Sequence, residues 1–176
     1  MRFVITGEWT RNRLLQVIVV LYAFYVIGLW LTNALLYFSK MSLTASSVID
    51  YYLGSEERFL SPRSYQGLLE VSHFHLFAMG MLLLVLTHLM LFVPLRNRTK
   101  AWLIVIPFLS AILDESAGWL VRFASPSFAY LKIAGFLMLE TSLAALVAIS
   151  LWSVLAGSQR SYEGQLPEPT RGPSHS

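Results

Sequence analysis

The sequence contains no cysteine, and only 13% of its 176 residues are charged. Without cysteine there can be no disulfide, thiolate zinc site, iron–sulfur cluster or c-type haem attached through the chain's own thiols. Any bound metal must use His, Met, Asp, Glu or Tyr. The shortage of charge, set against 56% hydrophobic residues, excludes an ordinary soluble domain and makes lipid the expected solvent. The net charge of +3 comes from basic residues at the ends of apolar runs rather than along one face, so no nucleic-acid partner is expected. Neither a Gly-rich phosphate loop nor a nucleophile elbow occurs, and no internal repeat relates the two halves. The pattern fits an electron-transfer or accessory subunit better than an independent enzyme.

Four apolar stretches are long enough to cross a bilayer, which needs roughly 20 residues. They cover about residues 14–37, 68–93, 101–121 and 128–155. The first is longer than the ~7–15 residues of a secretory signal core and is followed by no small-x-small cleavage site, so it reads as a span. Arg2, Arg11 and Arg13 precede it, and Arg96, Arg98 and Lys100 crowd the link between the second and third spans. Short basic segments stay in the cytoplasm, which sets both termini inside. The expected fold is therefore all-α: an integral membrane four-helix bundle over residues 1–157, N-in and C-in, in a bacterial inner membrane. Residues 39–66 form an outer loop in which Val48, Ile49, Tyr51, Tyr52, Leu53, Phe59 and Leu60 alternate with Asp50, Glu56, Glu57 and Arg58, as in a helix lying among headgroups. Residues 158–176, polar and rich in Pro, Gly and Ser, read as a disordered cytoplasmic tail.

Ionisable residues inside the spans are the candidates for function, because an Asp at a helix centre costs about 2.5–3.5 kcal/mol on insertion scales. On the second span, Glu70 and His88 fall on one line at ~100° per residue, with His73 about 60° away and His75 about 140° from His88. By helical rise, His73 and His88 stand about 22 Å apart along the axis, so they cannot serve one mononuclear site. Two imidazoles stacked at about four turns on one helix of a four-helix bundle resemble the membrane b-type cytochromes. That resemblance rests on His73, His88 and the bundle alone. It implies two b-type haems, one near each side of the bilayer, with His75 in support and with a quinone or a cytochrome as an exchange partner. The sequence departs from the family in having no His on the first, third or fourth span, and His175 lies in the tail. Completing the coordination would take a homodimer, an axial Met79, Met90 or Met138, or a His from another membrane subunit.

Other readings use the same residues. Glu70, His73, His75, Asp114 and Glu115 all fall in the outer half of the bilayer, where by ligand type they would suit Cu or Zn. Glu70 and His73 make a single E-x-x-H step, whereas di-iron bundles need two such steps and two further Glu residues. Asp114 or Glu115 paired with Lys132 would neutralise two charges and fix the third span against the fourth. Glu140 and Asp114 could also serve proton or quinone chemistry, passing protons to the outer surface. A structural use, in which these polar groups lock the bundle or dock it in a larger complex, stands beside the redox reading. Ala111 with Gly118, and Ala144 with Ala148, are expected to allow close helix contact. Trp9, Trp102, Trp119, Tyr130 and Trp152 read as interfacial anchors.

Overall fold

A computed structural model of the protein describes residues 13–163, with side chains as far as Val154. These residues form five α-helices: α1 (Arg13–Lys40), α2 (Ala45–Leu53), α3 (Tyr65–Met90), α4 (Asn97–Phe123) and α5 (Ala129–Glu163). The four long ones are each apolar and long enough to span a membrane, as the sequence suggests. Trp9, His175 and the arginines at 2 and 11 lie outside the described residues.

Element boundaries follow local chemistry. Thr44 caps α2 by accepting from the Ser47 amide, and Ser64 caps α3 by accepting from the Gly67 amide at 3.1 Å. Pro107 sits inside α4 without ending it, which a membrane helix tolerates when neighbours cover the freed backbone, and here Pro107 is buried. Most boundaries fall within three residues of the sequence expectation, and two depart further. Arg98 and Lys100 belong to the first turn of α4 rather than to the link, where Lys100 Nζ donates to the Leu91 carbonyl at 2.7 Å. α5 continues to Glu163, past the start of the expected tail at 158; the rest of that tail lies outside the described residues. No Pro or Gly lies between residues 158 and 163 to stop it.

α5 is the centre of the bundle, with α4 packed along it as a hairpin and α1 and α3 against its other sides. Gly135 makes the α4–α5 approach possible, since a Cβ there would sit 2.9 Å from the Asp114 backbone. The other small-residue expectations divide. Gly118 receives the Tyr52 ring from α2 rather than a neighbouring span, and Ala148 faces outward.

The apolar core has two parts. One, around Val26, Leu83, Leu86, Met90, Leu139 and Leu146, fills the half of the bundle near the α3–α4 link. The other, around Tyr37, Val48, Tyr52, Val121 and Phe136, fills the end beneath α2, where Tyr37 stacks on Phe136 with ring centroids 3.7 Å apart. The apolar residues expected among headgroups divide between this core and the surface. Val48 and Tyr52 turn inward and plug the bundle, because burying them removes more apolar surface from water than an interfacial position would. Phe59 remains outside, 95% exposed at the tip of a turn closed by paired Ser55 and Leu60 backbone bonds.

A polar cluster between the two cores

Lys132, Asp114, Glu115, His75 and Glu140 collect where the two apolar cores meet. Lys132 on α5 places Nζ 2.8 Å from Asp114 Oδ1 and donates to the Asp114 carbonyl at 3.0 Å. Of the two acidic partners open to it from sequence, Asp114 is the one it meets. Lys132 is 8% exposed, so the ion pair is closed off from solvent, with the Tyr52 ring packed over Gly118 above it. Tyr52 lies outside the spans, and burial pushes its phenol up to about 12, against a smaller opposing pull from Lys132.

Glu115, one residue along α4, turns toward α3. One of its oxygens accepts from the Ser72 hydroxyl, and the other lies 3.1 Å from His75 Nδ1. Ser72 in turn accepts from Trp119 Nε1 at 2.7 Å, so a relay of Trp119, Ser72, Glu115 and His75 ties α3 to α4. Both carboxylate oxygens of Glu115 are thereby committed. Trp119 was expected to anchor at the interface; its indole N–H is instead turned inward by Ser72.

On the next level toward the other core, Asn33 Nδ2 donates to Glu140 Oε1 at 2.6 Å, and Trp30 Nε1 donates to the Glu140 backbone carbonyl at 3.0 Å. These bonds join α1 to α5. Glu140 is 7% exposed and its Oε2 has no hydrogen-bond partner among the described residues.

The histidines separate. His75, its side chain 47% exposed, lies about 140° around α3 from His88, toward the side that carries the buried Leu82 and Leu86, and turns Nδ1 to Glu115. His73 and His88 lie exposed on the opposite side, with edge contacts to Phe74 and Phe92 of their own helix region. Glu70 shares that outward side and accepts from Gln66 at 3.0 Å. The expected outer-leaflet set of five thus splits: His75, Asp114 and Glu115 meet, while Glu70 and His73 face away. Of the H-x-H pair, it is His75 that meets Glu115, while His73 contacts Phe74. Met79 and Met90 lie on the far side of α3 from His88, and Met138 is exposed on α5, so none completes an axial pair with it. Among the described residues no group of three or more His, Asp or Glu is arranged to hold a metal.

Ser72, Asn33 and Trp30 are not singled out by the sequence, where Tyr52 reads only as an interfacial aromatic. Asn33 carried a signal, being the only Asn or Asp in the uncharged stretch from 14 to 39; a serine on an apolar helix carries almost none.

Together the four spans and the buried polar layer define an integral membrane helical bundle. The chain belongs to a transmembrane helical domain family, which matches residues 42–161. That segment takes in α2 to α5 and most of the cluster, leaving Asn33 and Trp30 of α1 outside the match. Comparison with curated proteins and with solved structures gives no match.

Proposed function

We propose that this chain is a non-catalytic accessory subunit of a larger assembly in a bacterial cytoplasmic membrane, joined to it through the outward face of α3. One observation carries the reading: Glu70, His73 and His88 share the exposed side of α3, with Phe74 and Phe77 between them at 72% and 74% exposure. Ionisable groups on a lipid-facing helix side are costly, and a facing protein helix supplies the hydrogen-bond partners that hydrocarbon lacks. The basic residues at the α3–α4 end support an orientation with that end in the cytoplasm and α2 outside.

The haem reading needs the same face. A haem enclosed within this single bundle does not fit His73 and His88, whose rings point away from the core. Each iron would take one imidazole from α3 and a second ligand from the facing chain. A Cu or Zn site has weaker support, because Glu115 and Asp114 are already held by Ser72, His75 and Lys132.

The test is mild extraction from native membranes, followed by particle size, visible spectrum and metal content. A particle larger than the monomer is expected. A reduced-minus-oxidised b-type spectrum would add haem to the shared face. A monomer lacking haem and metal would overturn the assembly reading.

A further inference from the structure

Asn33, His75, Asp114 and Glu115 line two adjoining cavities, so the polar cluster forms the wall between them. The smaller, about 110 Å³, extends beneath α2 to Tyr52 and Lys132. The larger, about 220 Å³, runs between α3 and α4 into the apolar half of the bundle, past Met79, Leu83, Phe108 and Leu139. Leu76 and Ile112 also line it and are 60% and 54% exposed, so its rim reaches the bundle surface that faces hydrocarbon. A ligand arriving here comes from the bilayer and meets apolar walls with one polar end.

The chemistry at that end narrows the class. Asp114 is charge-paired with Lys132, and both oxygens of Glu115 are held by Ser72 and His75, so each carboxylate already has partners among the described residues. The same two carboxylates oppose an anionic head. Two groups are left available among the described residues: His75 Nε2, whose ring Glu115 fixes through Nδ1, and the Asn33 side-chain oxygen, whose amide nitrogen donates to Glu140. An imidazole held in this way accepts from a phenolic O–H when neutral and donates to a carbonyl when protonated. A quinone and its hydroquinone present those two groups on a neutral flat ring with an apolar tail.

We propose that this cavity binds the ring head of a lipid-soluble quinone or hydroquinone, with a ring oxygen on His75 Nε2 and the tail leaving between Leu76 and Ile112. The site opens between α3 and α4, with its Gly80 edge about 20° around α3 from His73, and it is tested in the chain alone, so its failure is distinguishable from that of the assembly face. Gly80 also lines the cavity, and a Cβ built there meets nothing within 4 Å, so this wall has room for added volume.

The experiment titrates the full chain, in phosphatidylcholine nanodiscs, with a decyl-tailed benzoquinone and follows quenching of tryptophan fluorescence. Wild type should saturate. His75→Phe removes the polar contact and Gly80→Leu fills the cavity while leaving every bond of the cluster in place; each should weaken binding by about tenfold or more. Gly28→Leu, on α1 where an added Cβ likewise meets nothing within 4 Å, should bind as wild type does. Oleate should not displace the quinone. Should His75→Phe fail to fold, Gly80→Leu decides the matter. Unsaturable quenching that is equal in all variants, wild-type binding by Gly80→Leu, or displacement by oleate would each overturn the proposal.

Discussion

Lys132 Nζ is bonded to both the side chain and the main chain of Asp114, so a single ammonium holds α5 to α4 where Gly135 brings the two backbones together. Removing one partner strands a buried charge, which in proteins costs about 3–5 kcal/mol, whereas removing both need not. Asp114→Asn and Lys132→Met should each lower the yield and thermal stability of folded protein, and the double variant should recover part of the loss. Losses that simply add would mean the two groups are energetically independent despite their contact.

The same helix crossing predicts a contrast among glycines. Gly135→Ala places a Cβ 2.9 Å from the Asp114 backbone, which cannot move aside as a side chain would. A destabilisation of about 1–3 kcal/mol is expected, as for other overpacked sites. Gly28→Ala has open space and a helical position, so it should be neutral or stabilising by up to ~1 kcal/mol. Equal melting temperatures for the two variants would show that the crossing is looser than the distances indicate.

How much of this was legible beforehand differs from feature to feature. The spans could be read because length and apolarity suffice for a membrane helix. The spacing of Glu70, His73, His75 and His88 also followed from helical geometry. What did not follow was which side of α3 faces the core. In water the apolar face turns inward, but in lipid both faces are apolar and the periodicity loses its sign. The sequence therefore left open that His75, rather than His73, would be the one to meet Glu115. Tyr52 was misjudged for a related reason: an aromatic between Asp50 and Glu56 looks interfacial, and nothing local reveals that Gly118 on α4 leaves room for its ring.

The Tyr52 phenol gives a pH test. Its folded value, about 12, lies above the ordinary tyrosine value of 10.0, so the neutral form is favoured in the folded state. The associated stability is complete below pH ~10 and is lost as pH rises toward about 12, with a total on the order of 2–3 kcal/mol. In Tyr52→Phe the decline in melting temperature across that window should be shallower. A parallel decline in wild type and variant would assign the alkaline effect to other groups.

His73 and His88 point outward, so replacing either by Ala should change the stability of the isolated bundle by no more than about 0.5 kcal/mol. If the extracted protein carries b-type haem, the two losses should be selective. His88→Ala should remove the centre near the α3–α4 link and His73→Ala the one near α2, each with its own midpoint potential. Retention of full haem in both variants would remove these residues as axial ligands.

The lack of cysteine makes the assembly face directly measurable, because a single introduced thiol has no competitor in the chain. Phe77 lies between His73 and His88 on the outward side of α3 and is 74% exposed, whereas Leu83 on the same helix is 1% exposed in the core. If another helix covers the outward face in the native membrane, Phe77→Cys carrying a short photoactivatable cross-linker should form a defined adduct in intact membranes. If that helix belongs to a second copy, mild oxidation should also give a disulfide-linked dimer, since the same position then meets itself across a two-fold axis. Leu83→Cys should do neither, and Leu35→Cys, 69% exposed on α1, serves as the lipid-facing control. The adduct at Phe77 should weaken when His73 and His88 are both replaced by Leu, because the facing helix then loses its polar partners. Adducts of equal yield at Phe77 and Leu35 would mean that the stripe meets only lipid, and the polar residues of α3 would then need an explanation within the single chain.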